Sequence, residues 1–143
     1  MLKICFVCTG NICRSIMAER IMKRLLKEQV IKDIKVSSRG IFANGDNISQ
    51  NAKITLKKMG FPSSNRKSVI LGKIDKNTLY VTMTENQKQM IKSDNVISFK
   101  SLVGFEIEDP YGFGEDVYQK IALQLKSGIE ILIEKIKSWR ELW

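Results

Sequence analysis

The residues of this chain best equipped for chemistry crowd its first fifteen positions. The stretch VCTGNICRS, residues 7–15, holds two of the three cysteines, Cys8 and Cys13, and follows them at once with Arg14 and Ser15. It comes straight after an apolar run, Leu2 to Val7, and straight before a helical pattern, which places it in the turn between a strand and a helix. A loop that leads into a helix N-terminus can aim several N–H groups at one point, where the helix dipole adds positive potential. Gly10 lets the backbone fold tightly around an anion, and Asn11 tolerates left-handed dihedrals while its amide braces the loop. Arg14 supplies a planar fork that matches two phosphate oxygens. Such a nest suits a tetrahedral oxyanion, and Cys8 stands at its mouth. A cysteine so placed is expected as the thiolate. Aimed at phosphorus, it is a nucleophile for in-line displacement through a phosphocysteine.

This is not the nucleotide-binding loop G-x-x-x-x-G-K-[ST], whose Lys and hydroxyl serve terminal phosphates and a metal ion. The leaving group still needs a proton, and the chain contains no histidine. Asp109 in EDPYG is the best-placed acid: Pro110 stiffens the loop, and Tyr111 can line a slot for an aromatic group. Glu106, Glu108 and Asp116 are the fallbacks. Cys5 reads as a small hydrophobe of the first strand. For Cys13 two readings stay open, inert packing or a reversible disulfide with Cys8. Three cysteines without histidine leave structural zinc short of a fourth ligand; no cofactor or metal is expected.

The elements that must position these residues follow from periodicity. Leu2–Val7 predicts a strand buried on both faces. Residues 15–30 carry Ile16 or Met17, Ala18, Ile21, Met22, Leu25 and Leu26 on one stripe with Glu, Lys and Arg opposite, a helix with Ser15 available to cap it. Residues 34–38 predict a second strand, with a Gly/Asn-rich loop after it, and residues 49–61 a helix that stops at Gly60. Residues 78–84 predict a third strand with a short helix over 85–92, and residues 95–99 a fourth strand. A last helix runs from about Val117 to Trp139, its apolar positions Val117, Ile121, Leu125, Ile129, Leu132, Ile136 and Trp139 recurring at helical spacing. Strands alternating with helices imply an α/β domain, with a parallel sheet covered on both faces and a ligand site beyond the carboxyl ends of the strands.

The 143 residues fit one domain, 1–143, and a composition of 43% hydrophobic and 27% charged residues is that of a globular protein. No segment has the run of apolar residues that spans a bilayer, and no signal peptide is read, so the expected location is cytoplasmic. The net charge is +9, but its lysines and arginines are spread along the helices with no basic tail and no aromatic-rich RNA-reading motif, which weighs against nucleic acid.

At this point the chain resembles the low-molecular-weight protein tyrosine phosphatases. The match runs FVCTGNICRS with a following MAE, then DPYG late in the chain, with the same alternation of strands and helices throughout. The resemblance implies a three-layer sandwich, a four-stranded parallel sheet with flanking helices and a phosphate-binding loop after strand 1. It implies Cys8 as nucleophile, Arg14 as phosphate and transition-state clamp, and Asp109 as general acid, with no metal. Thr9, Gly10, Asn11, Ile12, Cys13 and Ser15 would form the cradle, with Phe42 and Tyr111 at its walls. The expected partners are phosphorylated proteins, met by a monomer without nucleic acid or membrane.

Three departures from the family pattern stand out. Ile16 replaces the usual Pro after the Ser, Arg66 stands where a family His supports the loop, and Phe42 or Asn44 replaces a Trp or Tyr of the wall. The segments GIFA, MTENQKQMI and DVYQK also resemble the bacterial protein arginine phosphatase branch, whose members usually carry Thr at the position of Ile12. An apolar Ile12 suits a phenyl ring and leaves guanidinium N–H groups unpaired, a mismatch of roughly 1–3 kcal/mol. Phosphotyrosine is therefore the expected substrate and phosphoarginine the alternative. A thioredoxin-coupled arsenate reductase would need further cysteines downstream. A phosphate-binding module without catalysis would have no need of Cys8, Arg14 and Asp109 together.

Overall fold

The computed structural model describes residues 1–61 and 65–141. Four strands form one parallel sheet in the order β2-β1-β3-β4: β1 (Leu2–Cys8), β2 (Ile34–Gly40), β3 (Thr78–Thr82) and β4 (Val96–Ser98). The helices are α1 (Arg14–Glu28), α2 (Gln50–Lys58), α3 (Glu85–Gln89), α4 (Phe99–Val103) and α5 (Glu115–Glu141).

The period-two alternation of β1 sorts its side chains between two cores. Ile4, Phe6 and Cys8 point into the larger, which α1, α2 and α5 close with Ile16, Met17, Ile21, Met22, Leu56, Leu125, Ile129 and Leu132. Cys5 and Val7 point into a smaller one with Tyr80, Ile91 and Val96, covered by Ile41, Leu71 and Ile74. Each fully buried aliphatic or aromatic side chain contributes about 1.5–3 kcal/mol, so β1 is held from both sides. With β2 on one flank and β3 on the other, the carboxyl end of β1 is the switch point where open parallel sheets bind ligands.

Several elements differ from their sequence reading. Strand β2 continues to Gly40 because Arg39 and Gly40 still pair with Val7 and Cys8. Ser15 does not cap α1: the N-cap is Cys13, with no side-chain cap, and the Ser15 hydroxyl is used elsewhere. Ser49 caps α2 through Ala52 N–H. Helix α4 follows β4 directly, and α5 begins at Glu115. Trp139, expected on the apolar stripe of α5, is 37% exposed. Glu19, expected on the polar face of α1, is buried, because residues 15, 19, 22 and 26 share the face that meets the sheet.

Candidate active site

The five residues between β1 and α1, Thr9 to Cys13, together with the first turn of α1 form a cup around the Cys8 thiol. Asn11 N–H donates to Cys8 Sγ at 3.2 Å, and Ser15 Oγ lies 2.9 Å from the same sulfur. The Asn11 side chain decides which way that second bond runs. Its Nδ2 donates to Ser15 Oγ at 2.8 Å and to Ser38 Oγ at 3.0 Å, so the Ser15 hydroxyl is an acceptor towards Asn11 and keeps its own proton for the sulfur. Asn11 N–H and the Ser15 hydroxyl thus converge on the Cys8 sulfur. Asn11 is fully buried with φ +57°, in the left-handed region, and its Oδ1 accepts from Val69 N–H at 2.9 Å.

Further support reaches back into the sheet and α1. Ser38 donates to Glu19 Oε1 at 2.8 Å, and Arg66 Nη2 donates to the same oxygen at 3.2 Å and to Ser38 Oγ. Arg66 therefore engages the loop-supporting network at the position where a family His was expected. Burial and the nearby Arg39 and Arg20 push the Arg66 pKa down, while Glu19 raises it. Ile16, in place of the family Pro, is 1% exposed and packs into the larger core. Gly40 permits a close approach to this loop: a Cβ there would lie 2.8 Å from the backbone of both Gly10 and Asn11. Its amide and carbonyl bond Val69 and Leu71 instead.

Arg14 links this loop to Asp109. Its guanidinium is buried, Nη1 donates to the Ile107 carbonyl at 2.9 Å, and Nη2 lies 3.9 Å from Asp109 Oδ2. Asp109 Oδ1 accepts from Tyr111 N–H at 3.1 Å, which turns the other oxygen towards Arg14. The carboxylate is 56% exposed, so the ion pair orients rather than stabilises.

Cys8, Thr9, Gly10, Ile12, Cys13, Arg14, Asp109 and Tyr111 together line a cleft of about 200 Å³. Asn11 and Ser15 are buried beneath it, bracing rather than lining it. Phe42 bonds the rim through its backbone, N–H to Thr9 O at 2.9 Å, but its ring is 64% exposed and stands outside the lining. Glu106, a fallback acid, accepts from Glu85 N–H, and Glu106, Glu108 and Asp116 all lie outside the lining. A larger groove of about 620 Å³, lined by Phe105, Asp116, Lys120, Leu123 and Ser127 among others, holds none of the cysteines; chemistry and not volume selects the site.

Cys13 is buried with its Sγ 3.2 Å from Tyr118 Oη, and Tyr118 Oη accepts from Ser49 Oγ at 2.9 Å. Burial raises the Cys13 thiol and pushes Tyr118 up to about 12. Cys5 is likewise buried and raised, in keeping with a packing role. All three cysteines are free. Sequence reading did not find Glu19, Ser38, Gly40, Tyr118 or the Ile107 carbonyl. Only Glu19 had a signal, its place on the same helical face as Ser15 and Met22.

The sequence profile of the low molecular weight phosphotyrosine protein phosphatases matches residues 3–141. A protein-arginine-phosphatase of Geobacillus stearothermophilus is 34% identical, over 95% of this chain and 97% of its own. The low molecular weight protein-tyrosine-phosphatase PtpB of Staphylococcus epidermidis is 35% identical, again over 95% of this chain and 97% of its own. Among solved structures, a YwlE arginine phosphatase variant carrying a phosphorylated active-site serine superposes with a TM-score of 0.88 at 29% identity, covering 99% of this chain and 100% of that one. With the cysteine cup, the arginine clamp and the whole-chain match in agreement, the chain belongs to the low molecular weight phosphotyrosine protein phosphatase family, a family of cysteine-based phosphatases.

Proposed function

We propose that this chain hydrolyses phosphotyrosine in proteins at the Cys8 cleft. The reaction begins with the phosphoryl group seated on the loop amides and the Arg14 fork. The Cys8 thiolate attacks phosphorus in line, forming the S–P bond as the P–O bond to the phenol breaks. Asp109 in its acid form gives the leaving oxygen its proton. The resulting Asp109 carboxylate then takes a proton from water, which attacks the phosphocysteine, and phosphate leaves as the thiolate is regenerated. The phosphorylated serine in the YwlE variant supports a phosphoenzyme at the nucleophile position of that protein. Arg14 holds the transferring group and, through Ile107, the loop that carries the acid.

The observation that carries the substrate reading is Ile12. Its apolar side chain lines the cleft together with Tyr111, so a phenyl ring meets matching surface there. A guanidinium would leave N–H groups without partners at Ile12, roughly 1–3 kcal/mol, or about 5- to 150-fold in selectivity. The second reading is phosphoarginine, favoured by the 34% identity to a protein-arginine-phosphatase and by Asp109, whose exposed carboxylate suits a guanidinium.

Phosphate release in EDTA from a phosphotyrosine peptide and a phosphoarginine peptide, side by side, tests this. Faster release from phosphotyrosine is expected, and faster release from phosphoarginine would overturn the substrate assignment. Cys8→Ser should abolish turnover while vanadate still binds. Retained turnover in that variant would remove Cys8 from the role of nucleophile.

A further inference from the structure

We propose that Gln87 is a positioning residue of this site: it fixes the Thr9 hydroxyl so that Thr9 presents its proton to an oxygen of the bound phosphoester. Gln87 lies in α3, remote in sequence from the nucleophile, and is 4% exposed. Its Oε1 accepts two backbone N–H groups, from Met83 at 3.0 Å and from Thr84 at 3.2 Å. Reversing the amide would set its NH₂ against both donors, so the orientation is determined by the backbone. Nε2 therefore faces the other way, where it donates to Thr9 Oγ1 at 3.2 Å. The Gln87 amide N–H bonds Thr84 Oγ1 and completes a capping box, so the residue is anchored at both ends.

The consequence lies in the polarity of Thr9. A hydroxyl that accepts from an amide keeps its own proton for a different partner. Thr9 adjoins Cys8 in the chain, lines the cleft and is exposed to whatever enters it. Its backbone is also held, the carbonyl accepting from Phe42 N–H. An oxygen of a phosphoester in the cleft is the acceptor this proton suits. The inference rests on the Cys8 cleft being the place of phosphoester hydrolysis, and adds a specific donor to it.

Two nearly isosteric changes test the assignment. Thr9→Val removes the hydroxyl. Gln87→Glu keeps an acceptor for Met83 and Thr84 but replaces the Nε2 donor with a carboxylate oxygen, so Thr9 turns its proton away from the cleft. Thr9→Val should lower kcat/KM about 10- to 30-fold for a phosphotyrosine peptide and for p-nitrophenyl phosphate alike, with Thr9→Ser restoring most of it. Gln87→Glu should cost a similar factor in the wild-type background and nothing further in a Thr9→Val background. A purely electrostatic or structural effect of the new carboxylate would persist without the hydroxyl, and that result would overturn the positioning role. A loss confined to the peptide would also overturn the inference, since the acceptor would then lie outside the phosphoester. Unchanged kcat/KM in Thr9→Val, alongside an inactive Cys8→Ser, would sink the inference and leave the phosphatase reading intact. Absence of turnover in the wild-type chain would sink both.

Discussion

Asn11 carries more of the active-site geometry than any other single side chain, and replacing it separates two contributions that usually travel together. Its amide makes three hydrogen bonds, to Ser15, Ser38 and the Val69 N–H, each worth about 1 kcal/mol net. Its backbone sits at φ +57°, where a residue with a Cβ and no local bonding loses about 1–2 kcal/mol. Asn11→Ala loses the bonds and carries the backbone penalty, for a destabilisation of about 4–5 kcal/mol. Asn11→Gly loses the same bonds but adopts the left-handed conformation freely, for about 3 kcal/mol. Both variants free the Ser15 hydroxyl from its fixed orientation towards Cys8, so kcat for p-nitrophenyl phosphate should fall about 100-fold or more in each. Urea unfolding of the three proteins, read at constant m-value, measures the stabilities, and initial rates measure the catalytic loss. The expected pattern is equal damage to catalysis with the glycine variant more stable by about 1–2 kcal/mol. Equal stability of the two variants would show that the left-handed backbone is not strained. A wild-type rate in either would show that the Asn11–Ser15 bond does not orient the thiol's partner.

Three other outcomes follow from the same geometry. Gly40→Ala should destabilise the fold by about 1–3 kcal/mol and depress kcat more than KM, because its Cβ would press on the Gly10 and Asn11 backbone at 2.8 Å; a stability and rate within error of wild type would refute the close approach. Asp109→Asn should slow substrates with poor leaving groups far more than p-nitrophenyl phosphate, which needs little protonation; an equal loss across a leaving-group series would remove the acid role. Tyr118 ionises at about 12 in the fold and near 10 in the unfolded chain, so its contribution is intact below pH 10 and is lost as pH rises towards 12. Urea midpoints at pH 9 and pH 11 should therefore drop more for wild type than for Tyr118→Phe, and parallel drops would contradict this.

Much of the site was legible in the sequence because its chemistry is local. Cys8, Gly10, Asn11, Arg14 and Ser15 sit within eight residues of one another, and a strand-to-helix turn can have only a few shapes. In the structure Asn11 N–H and Ser15 Oγ meet the Cys8 sulfur, while Gly10 and Arg14 line the cleft beside it. Periodicity also located β1 and α1, because each buries an entire face or stripe. It misjudged Glu19: the nearby Arg20 and Lys23 pair with one of its oxygens, but the partners that hold the other, Ser38 and Arg66, are distant in the chain. It misjudged Trp139, which is 37% exposed although Ile136, three residues earlier on the same stripe, is buried.

The sequence by itself therefore determined the nature of the chemistry: a thiol, an arginine and a cradle of amides in one turn, within a parallel α/β chain. Only the tertiary structure decided how that turn is held. Ser15 gives its hydroxyl to Cys8 rather than to a helix cap, Arg14 reaches across to Ile107 and Asp109, and Arg66 closes a buried network through Ser38 and Glu19. Apart from Ser15 and Cys8, those partners lie tens of residues apart in the chain, brought together by parallel pairing and by burial of two cores. Residue type and spacing set what a group can do, while distant backbone and side chains set the direction in which it does it.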